Sequence, residues 1–170
     1  MPDLIIQPLL PSDQQTVWDL LHIALWDPPP APLRPREVLT SPEVRIYAED
    51  WGRREGDLGV CGRLASEPAI IGACWLRLVK GGIGLSYIDD DTPQLGIALF
   101  PDCQRQGYGE RLMRAALAEA GCRYRQVALS VHPQNPAVSL YRRCGFKQVD
   151  VRRNYLIMVR ELSTDRPIAG

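Results

Sequence analysis

The stretch QLGIALFPDCQRQGYGERLM, residues 94–113, decides how this chain is read. Gln94–Phe100 is an uncharged apolar run, which predicts a buried strand. Gly107 and Gly109 follow, and from there Leu112, Met113, Ala116, Leu117 and Ala120 fall on one helical face. That spacing predicts a helix over 107–121, with Gly121 placed to end it. The first four N–H groups of such a helix lack intrahelical partners. Its dipole adds a partial positive charge worth ~0.3–1 kcal/mol to an exposed anion. Glycines let an anion approach the backbone, and Arg105 and Arg111 add charge nearby. A pyrophosphate cradle and a tight entry turn both fit these features. A Walker loop is excluded because no Gly-Lys-Ser/Thr is present. The dinucleotide fingerprint would need a third glycine at 112, where Leu112 stands.

Working outward, QVALSV (126–131) reads as another buried strand, and NPAVSLYRRCGF (135–146) as a loop and a short helix over about 136–144 stopped by Gly145. KQVDVRR and NYLIMVREL close the chain as an antiparallel pair. Upstream, DLIIQPL (3–9) predicts a first strand, and Ser12 caps an amphipathic helix over 13–26. The prolines of WDPPPAPLRP (26–35) impose a stiff extended loop. A shorter helix is expected within 35–50. DLGVCGRL (57–64) and AIIGACWLRLV (69–79) read as two strands around Ser66-Glu67-Pro68, followed by a glycine-rich connection, GGIGLSYIDDDTP (81–93), with short strand content. No repeat or linker interrupts the pattern. We therefore expect one domain over 1–162 and a flexible tail over 163–170.

The 170 residues are 45% apolar with zero formal net charge. That composition supports a real core and speaks against disorder and against a general nucleic-acid binder. No apolar stretch approaches the roughly 18 residues of a membrane span. The acid at Asp3 and the lack of an early basic region do not suit a signal peptide, so a cytoplasmic protein is expected. The five cysteines (61, 74, 103, 122 and 144) form no CxxC, and His22 and His132 complete no metal-ligand spacing. They read as small buried hydrophobes, and no metal is expected.

Gln104-x-x-Gly107-x-Gly109 resembles the (Gln/Arg)-x-x-Gly-x-(Gly/Ala) motif of the GNAT acetyltransferase superfamily. QLGIALF is similar to that family's fourth strand, and NPAVSLYRRCGF to its Asn…Leu-Tyr-x-x-x-Gly-Phe segment. The resemblance is specific over about 93–150 and loose over 1–92. It implies an α/β (α+β) fold: a mixed, mostly antiparallel central sheet of six or seven strands, about four flanking helices, and a splay between the fourth and fifth strands. It implies acetyl-CoA as co-substrate. The pantetheine arm would lie along the backbone of Ala98, Leu99 and Phe100. The pyrophosphate would lie on the loop of Gln104, Arg105, Gln106, Gly107, Tyr108 and Gly109, reaching Glu110. Asn135 is either a contact to the pantetheine arm or a helix cap. Tyr141 is either the acid that protonates the leaving thiolate or a core aromatic. Arg142 and Arg143 suit solvent or the cofactor's other phosphates, and Phe146 suits the core.

The reaction implied is direct attack by a primary amine on the acetyl thioester within a ternary complex. The Leu99 N–H would polarise the carbonyl. An acyl-CoA binding or sensing module and a same-fold transferase of a longer acyl group are the alternative readings. The acceptor is open between a small molecule and a protein N-terminus or lysine, and the state between monomer and homodimer. No nucleic-acid or membrane partner is expected. The family's glutamate positions hold Gln94 and Ser130 here, so the general base is open; Asp89, Asp90, Asp91 and His132 are the nearby alternatives. Acceptor selection falls to 22–40, 80–92 and 150–158, where Asp27 is either an anchor for a cationic amine or a helix-end residue.

Overall fold

The computed structural model describes residues 3–162, so the expected tail at 163–170 lies outside the described residues. In chain order the elements are β1 (Leu4–Pro8), α1 (Gln14–Ala24), α2 (Pro42–Arg45), β2 (Leu58–Leu64), β3 (Ile70–Arg77), β4 (Gln94–Leu99), α3 (Tyr108–Ala120), β5 (Gln126–Val131), α4 (Ala137–Arg143), β6 (Lys147–Arg152) and β7 (Tyr155–Glu161). The strands form one sheet in the order β1-β2-β3-β4-β5-β7-β6. Every neighbouring pair is antiparallel except β4 and β5. That parallel pair is joined only at Gln94↔Ala128, whereas β3 and β4 stay in register from Arg77↔Gln94 to Gly72↔Leu99. Past Gln94 the two strands part, and the sheet is split by a wedge.

Alternation along β4 divides the core. Leu95, Ile97 and Leu99 pack with α3 residues such as Leu112 and Met113, while Ala98 and Phe100 pack with Val17, Leu20 and Trp75 on the α1 face. β3 is buried on both faces, which explains its unbroken apolar run. Gly96 has a packing reason of its own: a Cβ there would stand 2.7 Å from the Trp75 ring. The indole of Trp75 therefore lies across β4 and donates to the Tyr47 carbonyl at 3.2 Å.

Three local expectations are corrected. Ser12 does not cap α1. Pro11–Asp13 forms a 3-10 turn, Asp13 is the cap position, and its Oδ2 accepts the Leu10 N–H at 2.8 Å. The helix expected within 35–50 is broken into a 3-10 turn (Arg36–Thr40) and the single turn of α2. Pro42 supplies no N–H and holds Ser41 extended (φ −70, ψ 139), so no continuous helix can pass. The 81–93 connection contains no strand. Gly145 does end α4 with φ 91, whereas Gly121 stays right-handed at φ −60.

Candidate active site

Backbone direction decides what the wedge offers. The Phe100 N–H donates to the Ile71 carbonyl of β3 at 2.9 Å, and the Ala128 N–H of β5 donates to the Pro93 carbonyl at 3.1 Å. Peptide groups along a strand alternate sides. Residues 94, 96, 98 and 100 therefore bond toward β3, and 93, 95, 97 and 99 turn toward β5. Where β5 has departed, the N–H groups of Ile97 and Leu99 and the Ile97 carbonyl face an open gap. The Leu99 carbonyl already accepts Gln104 Nε2 at 2.9 Å. Of the three backbone contacts expected from sequence, Leu99 lies on the gap. Ala98 and Phe100 are corrected: the Ala98 peptide groups turn toward β3, and Phe100 spends its N–H on the Ile71 carbonyl and its carbonyl on the Cys103 N–H. Ile97 was missed: which parity faces the gap depends on strand register, and no local residue signal carries it.

Beyond the gap lies the loop before α3. Arg105 (φ 64) and Gly107 (φ 85) are both left-handed, so the chain coils tightly there. Residues 104–107 are exposed, and among the described residues the amides of Arg105 through Gly109 donate to no protein acceptor. A Cβ at Gly107 would have nothing within 4 Å, so open space faces this residue. Gly109 differs: a Cβ there would lie 3.3 Å from Leu99 Cδ1 and 3.6 Å from Leu140 Cδ2. Gly107 leaves the space before its backbone open, and Gly109 lets α3 sit close on β4 and α4. The side chains of Gln104 and Gln106 are turned back into the loop, Gln106 Nε2 reaching the Asp102 carbonyl at 3.2 Å. The Tyr108 ring is buried against Leu4 and Ile71, with its hydroxyl unpartnered, which leaves only its amide for the cradle. Glu110 binds Arg143 at 3.0 Å and Arg114 at 3.6 Å. The Arg143 hydrogen bond holds its carboxyl below the usual range, and the two guanidiniums offset a charge that would otherwise oppose an anion.

At the other end of the gap, α4 supplies Tyr141. Its ring is 8% exposed and meets Phe146 edge-on at 6.1 Å, so it is part of the core. It also lines the site cavity, and among the described residues its hydroxyl has no hydrogen-bond partner without being sealed off. Burial pushes the phenol well above its ordinary pKa, with a smaller contribution from Cys74. Asn135 Oδ1 accepts the Ala137 N–H at 2.9 Å, which caps the start of α4. Asn135 also lines the cavity, so its remaining amide donors are available there. Phe146 is buried, as expected.

The acid and base positions are also fixed. Gln94 is 2% exposed, and its Oε1 accepts from Tyr47 Oη (2.8 Å) and Ser86 Oγ (2.9 Å) while Nε2 donates to the Ile83 carbonyl (2.9 Å). It staples the 81–93 connection to β4 and has no lone pair for a substrate proton. Burial pushes the Tyr47 phenol up to about 12, which keeps it the donor in that pair. Asp89 accepts from the Asp91 N–H and Thr92 Oγ1, and Asp90 from the Gly81 N–H and Tyr87 Oη. These acids shape their own loop and do not line the cavity. His132 does line it, but its Nδ1 accepts the Gln134 N–H at 3.1 Å, so neutral His132 presents Nε2–H as a donor. Ser130 is exposed on the cavity wall. Asp27 is held bidentately by Arg34 (2.8 and 2.9 Å), which lowers its pKa, so it is not a free anchor for a cationic amine.

These elements enclose a cavity of about 830 Å³ between α1, α2, the 81–93 connection, the β4/β5 gap and the β6–β7 turn. Among the described residues no cluster of His, Cys, Asp and Glu could hold a metal, and no helix is long and apolar enough to cross a membrane. Cys61, Cys74 and Cys144 are buried with thiols pushed up by burial, whereas Cys103 is half-buried and Cys122 exposed.

Residues 68–148 match the family described as acetyltransferase (GNAT) domain. Several solved structures share the fold. The ribosomal-protein-S18-alanine N-acetyltransferase from Escherichia coli is 21% identical, with a TM-score of 0.67 and 99% of each chain covered. A putative acetyltransferase from Salmonella typhimurium, solved with its cofactor acetyl-CoA, is 16% identical with a TM-score of 0.64, covering 98% of this chain and 99% of that one. An N-acetyltransferase from Thermoplasma acidophilum, in complex with coenzyme A, is 17% identical with a TM-score of 0.61, covering 94% and 99%. No curated protein matches the chain by sequence.

Proposed function

We propose that this chain, a member of the GNAT acetyltransferase superfamily, moves an acetyl group from acetyl-CoA to a primary amine by direct attack in a ternary complex. One observation carries the reading: the open edge of β4 at Ile97 and Leu99 runs into a loop whose amides from Arg105 to Gly109 have no acceptor among the described residues. An extended arm ending in a pyrophosphate fits that sequence of groups, with the arm added to β4 as a strand would be. Nearby solved structures hold acetyl-CoA or coenzyme A, which supports the same ligand here.

In this reading the Leu99 or Ile97 N–H holds the thioester carbonyl oxygen as charge develops on it. The amine nitrogen forms the new C–N bond while the C–S bond breaks. One proton leaves the nitrogen, and one is delivered to the sulfur. Tyr141 is placed for that delivery. Its raised pKa keeps the phenol protonated, and the same burial makes an ionised thiolate costly, which offsets the weaker acidity of the buried phenol. Among the described residues lining the cavity, Glu43 is the single carboxylate, and no hydrogen bond or ion pair holds it in place as a base, so the amine's proton passes to water. A lysine-like amine is neutral only about once in 2,500 at pH 7, so this arrangement favours acceptors of lower basicity.

A thiol-release assay over a panel of amines tests the proposal. Acetylated product with stoichiometric free thiol is the expected result. Tight acetyl-CoA binding with no turnover of any amine would instead favour a sensing module.

A further inference from the structure

Building on the acetyl-transfer reading, we propose that the acceptor is an apolar amine that also carries a carboxylate, and not a polyamine. The ionised side chains on the cavity wall are Arg34, Arg152, Arg153 and Glu43. Three guanidiniums thus face one carboxylate. Asp27 and Asp150 bind Arg34 and Arg152 but do not line the cavity. They hold the guanidiniums without filling them. Arg34 uses Nε and Nη2 on Asp27, and Nη2 also reaches Tyr155 Oη at 3.2 Å. Arg152 uses Nε on Asp150 and Nη1 on the Leu85 and Tyr87 carbonyls, at 3.0 and 2.7 Å. Each guanidinium has five N–H donors, so Arg34 retains Nη1 and Arg152 retains Nη2. Arg153 has no ion pair among the described residues.

Arg34, Arg152 and His132 are grouped about Tyr155. Arg152 is its cross-strand partner, Arg34 bonds its hydroxyl, and the His132 ring stands edge-on to it at 5.7 Å with its own Nε2–H. The free Nη groups of Arg34 and Arg152 and the whole guanidinium of Arg153 can donate to a carboxylate, whereas a second ammonium placed there would find no acceptor among them. The opposite requirement, an apolar body, is met by Trp26, Tyr47, Trp75 and Leu25 on the remaining walls. A polyamine would leave these guanidiniums unmatched and find only Glu43 to bind.

The test compares phenylalanine with 2-phenylethylamine, which differ by the carboxylate, and with spermidine. Acetyl-CoA-dependent turnover is measured alongside direct binding to the coenzyme A-loaded protein. The proposal expects phenylalanine to exceed 2-phenylethylamine and spermidine by tenfold or more in kcat/KM. Arg153→Asn, which keeps a residue tolerant of the left-handed turn (φ 49), should raise KM for phenylalanine and leave 2-phenylethylamine unmoved; Arg152→Gln should do the same more strongly if it folds. Equal or better use of 2-phenylethylamine or spermidine overturns the proposal. Selective phenylalanine binding that Arg153→Asn weakens, without turnover, upholds the carboxylate site and rejects acetyl transfer. Absence of both binding and turnover for phenylalanine at millimolar concentration overturns it as well.

Discussion

The side-chain amide of Gln104 donates to the main-chain carbonyl of Leu99 at 2.9 Å. This bond ties the loop before α3 to the last residue of β4, so the open strand edge and the open amides are held in one fixed relation. It also gives Gln104 a role other than ligand contact: it positions the loop and leaves the binding to the backbone. Replacing it with Leu keeps the bulk and removes the donor. One hydrogen bond of this kind is worth roughly 1 kcal/mol, or about fivefold. Gln104→Leu should weaken acetyl-CoA by about that factor in calorimetric titration, with little change in the turnover of bound complex.

Gly107→Asp tests the cradle itself. Asp tolerates a left-handed conformation better than most residues, and nothing in the protein lies within 4 Å of the new Cβ. The fold should survive, while a negative charge occupies the anion's place. Acetyl-CoA affinity should fall by more than tenfold, with Tm nearly unchanged. Gly109→Ala should show the converse pattern, a loss of Tm from crowding against Leu99 with a smaller effect on binding.

For Tyr141→Phe the ring packing against Phe146 is retained and only the hydroxyl is lost. Binding should be near normal and kcat should drop by about a hundredfold or more, within the roughly 10²–10⁴-fold range of general acid catalysis. An unchanged kcat would leave Tyr141 as a core residue alone.

The pH profile should report the substrate more than the protein. The Tyr141 phenol is raised by burial, so it stays protonated across neutral pH and adds no descending limb there. With Glu43, the one carboxylate on the cavity wall among the described residues, not held in place as a base, kcat/KM should climb with pH until the acceptor amine is neutral. The apparent pKa should therefore move when the acceptor is changed; a value fixed near 6 for every amine would point to a base in the protein.

Stability rests in part on a buried ion pair. Arg77 and Asp57 are 1% and 2% exposed, meet at 2.8 Å, and are further bonded to the Ile46 carbonyl and the Gly52 N–H. Arg77→Met should cost about 3–5 kcal/mol, because Asp57 is left buried without its partner. Arg77→Met with Asp57→Leu should recover part of that loss in thermal unfolding.

Much of this was legible in the sequence for identifiable reasons. The strands at 58–64, 70–77, 94–99 and 126–131 are apolar runs between clear breakers, and α3 shows a clean helical face. Gly107 marked the left-handed, open turn before α3. What stayed hidden depends on register and on distant partners. Ile97 faces the gap only because Phe100 bonds Ile71. Gln94 looks like a substitute for an acid, yet Tyr47, Ser86 and Ile83, from three separate stretches, consume its hydrogen bonds. Asp27 looks like a free anion until Arg34, seven residues away across a proline-rich loop, is seen to fold back on it.

A crystal structure with coenzyme A tests the central claim most directly. The account predicts the pyrophosphate on the amides of Arg105 through Gly109, and the pantetheine arm in the β4/β5 gap, bonded to the backbone of Ile97 and Leu99. Coenzyme A seated outside that gap, or a loop before α3 left free of phosphate, would contradict it.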